Sequence, residues 1–423
     1  MDKYSAVLFF LLPVFLFAQT DPQAGVLDFS APENLSEDTP AVITSIEVTG
    51  LKRTKTKVTD YALEKFIGRD AGSPGIINEV KAVVIDTGVL EPVSVELLPE
   101  PGGVRLRVHV EEKWSFFPIP LIMVNSGGTS FGLFIADTNA FGLRDQVAAG
   151  GMYGSDGWMG MALYRSTPER NNFPGWNAAF MYSGQKKADQ DKKQQTLRRY
   201  QAAFLQASVG LEYPVTDKLN LSFTVSFTDI TVSKPVLNAP EEGNRSIGFS
   251  PGIVYRSSGW DGYLLSERSL SFSYGYMPAF AGSSFHELDM RFVFAIPVVP
   301  GFLASLKGGA NVKPGAGKVF EDSPRSIGID ILPVKFSACH YASAITGLEK
   351  YLFKARYGTL SVFFSWQAVF SSGSLSGETF DHGPAGGVRF YLSRVAIPAL
   401  GFTAAYNMTT FLPQFSFSVG MGF

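Results

Sequence analysis

The side chains that most often carry catalysis are few in this chain: His109, His286, His340, His382 and Cys339. A nucleophilic or acid–base site needs two or three such groups within hydrogen-bonding reach of one another. Cys339 and His340 are adjacent, and neighbouring residues of a strand point to opposite faces, so they do not form a pair there. Asp381 stands beside His382 without a third member at an evident spacing. The same holds for Ser284 and His286.

The sequence also lacks a glycine-rich phosphate-binding loop and a cluster of metal ligands. We therefore expect no enzymatic activity, no cofactor and no metal site, and a structural role for the histidines and Cys339. The formal net charge of −2 gives no indication of nucleic-acid binding.

The remaining candidates for chemistry are backbone groups, and the closing segment of the chain draws attention to them. Large apolar residues alternate there with small ones: Phe415, Phe417, Val419, Met421 and Phe423. A strand with one apolar face and one nearly bare face suits a position between lipid and a polar lumen. Such a strand must close a barrel or remain an exposed edge, so a barrel is predicted.

Composition agrees with a membrane barrel. Aromatic residues reach 13% and glycines number 43, whereas charged residues make up only 17%. Soluble domains usually carry about 25% charged residues. Beyond the first residues no continuous apolar run approaches the roughly 20 residues of a membrane-spanning helix. Strands that alternate apolar and polar residues explain both facts.

Residues 1–18 have the features of a cleaved export signal. Lys3 precedes an apolar run at residues 6–17, and Ala18 stands before the polar residues that follow. The run is too short for a membrane anchor. Residues 19–41 are rich in Pro, Asp, Glu, Ser and Thr and are predicted to be a flexible leader.

Residues 42–113 are predicted to form a small α/β domain. A two-residue alternation from Val42 to Val48 indicates a strand, and two stretches of helical periodicity end near Gly68 and Gly88. Residues 93–97 and 104–110 then alternate around a turn rich in proline and glycine, which indicates a hairpin.

Residues 116–423 are predicted to form about sixteen membrane strands. The predicted strands lie near 117–124, 129–136, 144–154, 157–165, 173–183, 200–213, 216–228, 245–256, 263–277, 284–296, 300–312, 344–354, 357–371, 384–392, 397–408 and 413–423. An even number brings the last strand antiparallel to the first, as closure requires. Asp289 and Arg291 fall on the lumen side of this alternation and are expected to pair.

The links between strands support this count. If the first strand runs outward, the long links 184–199, 229–244 and 313–343 face the outside, as is typical of such barrels. Residues 186–199 carry six basic and two acidic residues. We interpret that stretch as a solvated loop tip in preference to a lipid- or ligand-binding site.

Two groups of motifs resemble one known family. The first group resembles a POTRA domain: residues 46–50 with Thr54, the two predicted helices, and a last strand running into residues 111–113. The second group resembles the opening hairpin of a BamA-type barrel: residues 118–120, 127–128, 131–132 and 139–142. In this order they resemble the bacterial surface antigen superfamily of BamA- and TamA-like assembly proteins, over nearly the whole mature chain.

The resemblance implies a loop inside the lumen. In that superfamily the longest outside loop carries Val/Ile-Arg-Gly-Phe/Tyr, and its Arg meets an acidic residue of the barrel wall. Here the corresponding loop has Val334, Lys335 and Phe336, without the Arg and the Gly. The wall strand at residues 363–366 also lacks its acid, and loss of both partners avoids a stranded buried charge. Either the loop is held differently, or Arg325 takes the role of the missing Arg.

The seam between the first and last strands is the second candidate site. Pro118 and Pro120 have no N–H to donate, so a first strand containing them would pair poorly with the last one. The alternative places both prolines in a linker, with the strand starting at Leu121. The partner side of the seam is the closing segment, Phe415 to Phe423, which also resembles the signal by which assembly machinery recognises barrels.

The family resemblance implies an outer-membrane protein of a diderm bacterium with the POTRA domain in the periplasm. It would assist insertion of other barrel proteins, or export of a passenger, through the lateral seam. Its partners would be the outer-membrane bilayer, unfolded clients and periplasmic accessory proteins or chaperones. Clients would add as a strand to an edge of the POTRA sheet at Val93, Val95 and Leu97. The alternative is a passive pore or surface antigen without assembly activity.

Overall fold

The computed structural model of the protein describes residues 42–125, 127–166, 174–216, 218–261, 264–355, 358–392 and 398–419. A small α/β domain comes first, and a closed antiparallel barrel of sixteen long strands follows. The fold class predicted from the sequence, a mainly β barrel preceded by a small α/β region, is confirmed. The predicted signal and leader, residues 1–41, lie outside the described residues.

The α/β domain is a three-stranded sheet covered on one face by helices. Its elements are β1 (Ile43–Thr49), α1 (Thr56–Leu63) with a 3₁₀ turn at Glu64–Phe66, α2 (Ile76–Asp86), β2 (Leu90–Glu100) and β3 (Gly103–Glu112). The sheet order is β1-β3-β2, with β1 parallel and β2 antiparallel to the central strand.

Alternation along β3 builds the core of this domain. Val104, Leu106, Val108 and Val110 are all buried and face the helices. The helices supply apolar residues at helical spacing, among them Val80 and Val84 of α2, and these pack in the same cluster. Burial of each such side chain contributes about 1.5–3 kcal/mol, which lets a domain of this size fold.

The barrel follows after a three-residue link. Its strands are β4 (Phe116–Asn125), β5 (Gly128–Ala140), β6 (Asp145–Gly154), β7 (Gly157–Arg165), β8 (Gly175–Gln190), β9 (Thr196–Pro214), β10 (Leu219–Leu237), β11 (Asn244–Asp261), β12 (Leu264–Met277), a short β13 (Ala279–Ala281), β14 (Phe285–Val299), β15 (Phe302–Val312), β16 (His340–Ala355), β17 (Gly358–Gly373), β18 (Gly377–Leu392), β19 (Pro398–Asn407) and β20 (Leu412–Val419). Each strand pairs with its sequence neighbour, and β20 pairs with β4 to close the ring. The short β13 continues β12 past Pro278 and bonds to β11.

An apolar band covers the outside of the barrel. Exposed side chains on one strand parity include Phe131, Phe180, Phe223, Phe272 and Phe364. Residues of the other parity face the lumen, where Arg291 bonds Asp289 with 3.2 Å between Nε and Oδ1, as the alternation predicts. Such a band is what a bilayer requires of a barrel. Among the described residues no helix has the length and apolar character needed to cross a membrane.

Two of the predicted outside loops are wrong in length. Strands β8 and β9 continue through most of residues 184–199 and leave a link of residues 191–195, and β10 extends to Leu237. Strand β18 likewise starts at Gly377, seven residues before the predicted start. The polar ends of these strands lie beyond the apolar band, where the apolar–polar contrast that defines a strand in the sequence disappears.

A carboxylate organises the part of the α/β domain that contacts the barrel. Oε1 of Glu112 accepts the backbone N–H groups of Lys52, Arg53 and Thr54 at 2.8, 2.8 and 2.6 Å. Burial raises the pKa of Glu112, but the three N–H donors outweigh burial, and its pKa lies below its ordinary value. Glu112 ends the last strand before the barrel, so these bonds hold residues 52–54 at the end of the domain that faces the barrel.

The same segment contacts the β5–β6 turn directly. The Arg53 guanidinium forms an ion pair with Asp137, and Nδ2 of Asn139 donates to Oγ1 of Thr54 at 2.9 Å. The N–H of Lys55 donates to the carbonyl of Gly142 at 2.9 Å. Gly142 has φ 72°, and a Cβ there would lie 2.1 Å from the Arg53 carbonyl oxygen, so only glycine fits this approach. The domain therefore has a bonded contact with the barrel in addition to its covalent link.

We predict that Glu112→Gln loosens this joint. A neutral amide oxygen accepts backbone N–H groups more weakly than a carboxylate, so protection of the amides of residues 52–54 against hydrogen exchange should fall severalfold. Because the folded protein holds the carboxylate form, this protection should be complete above the ordinary carboxyl pKa. It should be lost in the wild type as the pH falls through the lowered value. Mass spectrometry of hydrogen exchange measures both effects.

The neighbouring Glu111 supplies the control, because it is exposed and lies on the opposite face of β3. Glu111→Gln should leave the protection of residues 52–54 unchanged. Equal loss in both variants would contradict a specific joint at Glu112.

Candidate functional site

The seam between β4 and β20 is short within the described residues. Its register joins Ile122–Asn125 to Ser416–Val419, four residues on each strand. On its other side β4 pairs with β5 over ten residues, from Phe116 to Asn125. The predicted seam residues Met421 and Phe423 lie outside the described residues.

Both prolines lie inside β4, where Pro118 pairs with Ile135 and Pro120 with Leu133. The strand begins at Phe116, so the alternative in which the prolines precede a strand starting at Leu121 does not describe the structure. Their rings lie on the exposed outer face, on the same parity as Ile122 and Val124. Leu121 faces the lumen and is buried.

The direction of the missing N–H groups follows from the hydrogen bonding of β5. Just before β4, the N–H of Thr138 on β5 donates to the carbonyl of Ser115 at 2.9 Å, and the register then continues without a shift to the Asn125–Gly128 pair. In an antiparallel ladder, successive residues direct their polar groups to opposite neighbours. Odd-numbered residues of β4 therefore bond β5, and even-numbered residues face β20.

Pro118 and Pro120 consequently lack the two N–H groups that would face β20. Ile122 and Val124 keep theirs, opposite Val419 and Phe417. The half of β4 nearer the α/β domain therefore has no N–H donors towards β20, while the half further from that domain keeps them. Phe415 and Phe417 on β20 point outward into the apolar band, as predicted.

The link between β15 and β16, residues 313–339, folds into the lumen. Its apolar residues form a buried cluster with the wall of β16–β19, and Ile329, Ile331, Leu332, Phe336 and Ala338 are almost inaccessible. An isolated bridge joins Asp322 to Ala338, which closes the loop on itself. The loop occupies the end of the barrel opposite the α/β domain, since it leaves β15 and enters β16 there.

A fully buried arginine of the wall holds this loop. Arg198 on β9 donates from Nη2 to Oε2 of Glu321 at 3.1 Å and from Nη1 to Oδ2 of Asp189 at 3.2 Å. Its Nη1 also donates to the carbonyl of Lys318 at 2.9 Å. The other oxygen of Glu321 accepts the N–H of Ser374 in the β17–β18 turn at 2.6 Å. One carboxylate of the loop is therefore bonded to two separate parts of the wall.

A second buried ion pair fixes the start of the loop. Nζ of Lys313 lies 3.1 Å from Oδ2 of Asp322, and both side chains are almost inaccessible. The same ammonium donates to the carbonyl of Phe320 at 3.1 Å. Breaking a buried pair by removing one partner strands a charge, so these pairs favour one arrangement of the loop.

The predicted degenerate motif lies against the wall on the seam side. A Cβ at Gly127, in the β4–β5 turn, would come 2.9 Å from Cγ1 of Val334. Nζ of Lys335 donates to Asp156 in the β6–β7 turn at 2.7 Å, and the Lys335 carbonyl accepts the N–H of Gln190 at 2.8 Å. Phe336 is buried. The loop therefore touches the hairpin that carries the two prolines.

Arg325 does not take the wall contact that the sequence left open for it. It bonds within the loop, to the Asp330 carboxylate at 3.0 Å and to the carbonyls of Asp330 and Leu332. The wall strand contributes Gln367, whose Oε1 accepts the N–H of Asp330 at 2.7 Å. An amide side chain thus directly follows the segment 363–366 that lacks an acid.

Sequence reasoning missed Arg198 and Glu321, although one signal was available. Arg198 has the same parity as Tyr200, Ala202 and Phe204, all buried on the lumen side. Continuing the alternation of β9 by one step would have placed Arg198 in the lumen. Nothing local identifies Glu321 as its partner, because the two residues are 123 positions apart.

The lumen wall next to the seam is apolar and rich in methionine. Residues of β4–β8 that face inward form one buried cluster with Phe204, Ile230 and the loop residue Val319: Leu121, Phe134, Ala136, Ala148, Met152, Met159, Met161 and Met181. Methionine side chains are flexible and repack easily. The lumen-facing side chains of the first hairpin therefore pack against methionines that can change their rotamers.

The predicted edge of the α/β domain is a true sheet edge. Strand β2 is outermost in the order β1-β3-β2, and its register shifts between Pro92 and Ser94, which leaves Val93 at a bulge and exposed. Val95 and Leu97 are half-buried against the domain core. Within β2, Pro92 and Pro99 lack N–H groups, and all six residues between them have one.

His109, His286 and His382 lie on separate strands, and only Cys339 and His340 are neighbours in the sequence. His286 stacks with Tyr276 at a centroid distance of 5.0 Å, and His382 stacks with Trp366 at 5.9 Å. Nδ1 of His340 accepts the N–H of Lys313 at 3.0 Å. In the part of the chain that the structure describes, no group of three or more His, Cys, Asp or Glu residues is placed to hold a metal ion.

Solved structures of similar shape include three outer-membrane proteins. BamA from Haemophilus ducreyi lacking POTRA domains 1–3 matches with a TM-score of 0.62 at 13% identity, over 90% of this chain and 84% of that one. CdiB from Escherichia coli gives 0.59 at 11% identity over 98% and 96%. CdiB from Acinetobacter baumannii gives 0.60 at 11% over 90% and 74%.

At these identities the likeness concerns the fold. The chain has the fold of BamA and CdiB, as the resemblance of its motifs predicted. No family model and no curated protein matches the sequence.

We predict that Arg198→Ala releases the loop from the lumen. The change leaves Glu321 buried without its cation, at a cost of about 3–5 kcal/mol. Single-channel conductance in a planar bilayer should rise, and residues 313–339 should become sensitive to protease added from the outer side. The double variant Arg198→Leu with Glu321→Leu should recover part of the closure, because the loop then carries no stranded carboxylate and only Asp189 of the wall loses its cation.

Lys193→Ala on the same hairpin is the matched control, because that side chain is exposed. Wild-type conductance and protection in Arg198→Ala, or a larger defect in the double variant than in the single one, would contradict the assignment.

Proposed function

We propose that this chain is an outer-membrane assembly protein of the BamA-like superfamily that opens the β4–β20 seam to a client strand. The α/β domain is then a POTRA domain in the periplasm. The observation that carries the proposal is the direction of the missing N–H groups of Pro118 and Pro120. They weaken the one pairing that must break for a barrel to open sideways.

A client strand can use the seam because backbone bonding does not depend on sequence. The even-numbered residues of β4 keep carbonyl groups that face β20, even where the prolines lack N–H groups. An incoming strand can donate to these carbonyls and gain partners that lipid cannot provide. Opening at the periplasmic half costs less than opening anywhere in the fully bonded ladders.

The loop connects the seam to the lumen. Val334 packs on the β4–β5 turn, and Glu321 anchors the same loop to Arg198 on β9. Displacement of the first hairpin therefore has to disturb Val334, while the Arg198 anchor keeps the loop in the barrel. This arrangement supports a barrel that stays closed to the outside while its side opens.

Delivery would begin at the α/β domain. The free edge of β2 between Pro92 and Pro99 can add an extended segment of a client or of an accessory protein. The contacts of residues 53–55 with Asp137, Asn139 and Gly142 hold the domain against the end of β5 and the β5–β6 turn. A client bound to the domain is therefore held near the periplasmic end of the first hairpin.

The alternative of a passive pore requires an open path through the barrel. The buried loop occupies one end of the lumen and packs against its wall, which supports the assembly role over a passive pore. We propose no catalytic reaction for this protein.

We predict that a disulfide across the seam blocks assembly. Met123 and Ser418 are directly opposite, and Met123 directs its N–H towards β5, so the pair is of the closer, non-hydrogen-bonded kind. Its Cα separation of about 4.5 Å suits a disulfide. In a Cys339→Ala background, oxidised Met123→Cys with Ser418→Cys should stop insertion of an unfolded eight-strand barrel into liposomes, and reduction should restore it.

The matched control joins β19 to β20 instead, through Thr403→Cys with Ser416→Cys, which are paired in the ladder. That disulfide should leave insertion unchanged. Normal insertion by the oxidised seam variant would sink the proposal, and loss in both oxidised variants would show that rigidity of β20 alone is responsible.

We predict that restoring the two N–H groups closes the seam. Pro118→Ile with Pro120→Ile keeps an apolar outer face and adds two donors towards β20, so client insertion should fall severalfold. The temperature at which the folded barrel is lost on semi-native gels should rise. The single variants report on each donor separately.

Pro251→Ile on the outer face of β11 is the control, since it adds a donor far from the seam. Full client insertion in the double variant, together with a raised unfolding temperature, would contradict a role for the prolines in opening.

A further inference from the structure

The basic stretch at residues 186–199 is divided by strand parity into two surfaces. Arg198 points into the lumen and anchors the loop, whereas Lys186 and Arg199 are exposed on the outer face of β8 and β9. Interpretation of the whole stretch as a solvated loop tip is therefore wrong for Arg198. The outward residues have no part in the seam or in the loop, so their position needs a separate account.

These outward residues lie just beyond the apolar band. Tyr182 on β8 stands opposite Leu205 on β9, and both belong to the outer face of the band. Lys186 follows Tyr182 by four residues on the same face and stands opposite Gln201. At about 3.3 Å per residue and a tilt of about 40°, Lys186 lies roughly 10 Å above Tyr182. That height corresponds to the headgroup layer of the outer leaflet.

Three basic residues lie near the level of Lys186 on the neighbouring strands β8, β9 and β10. Arg199 is the diagonal neighbour of Lys186, because the ladder joins Lys186 to Gln201, and diagonal neighbours are about 7–8 Å apart. Strand β10 contributes Ser233 opposite Gln201, and Leu237 opposite Arg199. Between these two pairs the register shifts, and Lys234 in the shifted segment has φ 45° and is exposed.

The three basic side chains of this cluster differ from the neighbouring arginines, which are paired with carboxylates. Arg245, on the same outer face, is bonded to Asp229 at 2.8 Å, and Arg198 is bonded to Asp189 and Glu321. Across the described residues, the ion pairs of the structure include none formed by Lys186, Arg199 or Lys234. Beside the cluster, Val236 and Leu237 are exposed as well.

We propose that Lys186, Arg199 and Lys234 bind the phosphate groups of a phosphorylated outer-leaflet glycolipid of the lipid A type. Arginine offers paired N–H donors to a phosphate and lysine a compact positive charge, and Gln201 and Ser233 add polar contacts between them. A soluble acidic protein would fit less well, because the cluster faces sideways along the barrel wall, directly above lipid.

This site rests on placement of the barrel in an outer membrane, and it does not depend on assembly activity. It lies on β8–β10, whereas the seam lies between β4 and β20. Binding measured on the purified barrel therefore succeeds or fails independently of the client-insertion experiments.

The test is native mass spectrometry of the purified full-length protein in detergent, titrated with bisphosphorylated lipid A and with its fully dephosphorylated form. The wild type should retain the phosphorylated probe, and removal of the phosphates should weaken binding at least tenfold. Each basic residue near a lipid surface contributes about 1 kcal/mol. Lys186→Gln with Arg199→Gln and Lys234→Gln should therefore weaken binding of the phosphorylated probe by at least about tenfold.

The matched control neutralises three basic residues at the opposite rim of the barrel: Lys218→Gln, Arg268→Gln and Lys350→Gln. All three are exposed and lie near the periplasmic strand ends. This variant should bind the phosphorylated probe as the wild type does. Both triple variants should show the heat-modifiable mobility of the folded barrel.

Two results would overturn the proposal. One is undiminished binding of bisphosphorylated lipid A by the Lys186, Arg199 and Lys234 variant, or equal loss in the control. The other is equally tight binding of phosphatidylglycerol by the wild type with the same dependence on the three residues, which would reduce the site to a general attraction for anionic lipid.

Discussion

The structure depends on one constraint: in lipid, every backbone N–H and C=O of a strand must find a partner within the protein. A closed ring of strands meets this constraint everywhere except where a residue has no N–H to give. Pro118 and Pro120 are such residues, and the bonding of Ser115 to Thr138 shows that their deficit faces β20. This deficit of N–H groups therefore lies at the one junction where chain connectivity does not hold two strands together.

The lumen follows from the same closure. A ring of sixteen strands encloses more space than its inward side chains fill. Residues 313–339 occupy the end opposite the α/β domain, and methionines line the wall beside the first hairpin. Buried charges then determine how the loop is held, because Arg198 cannot lie in this interior without Glu321 and Asp189. In the superfamily that the motifs resemble, the loop carries the cation and the wall the acid. Here the wall carries the cation, which explains how the Val334–Phe336 segment can lack its arginine.

Strand alternation also separates functions that are neighbours in sequence. Arg198 and Arg199 are consecutive, yet one lies inside the lumen and the other faces the membrane surface. The α/β domain contacts the barrel through residues 53–55, and the single carboxylate of Glu112 accepts three consecutive N–H groups of the same segment. The α/β domain, the start of the first hairpin and the proline-containing half of β4 thus lie at the same end of the barrel.

Local periodicity in the sequence was enough to determine the α/β order of the first domain, the number of barrel strands and the face on which residues such as Asp289 and Arg291 lie. These properties depend on contrast between adjacent residues, which each short segment carries by itself. Tertiary structure alone decided that β8–β11 continue beyond the band, since polar residues on both faces give no alternation there. It also decided that the prolines belong to β4 and that Arg198 meets Glu321, because register and ring closure bring together groups that no local pattern relates.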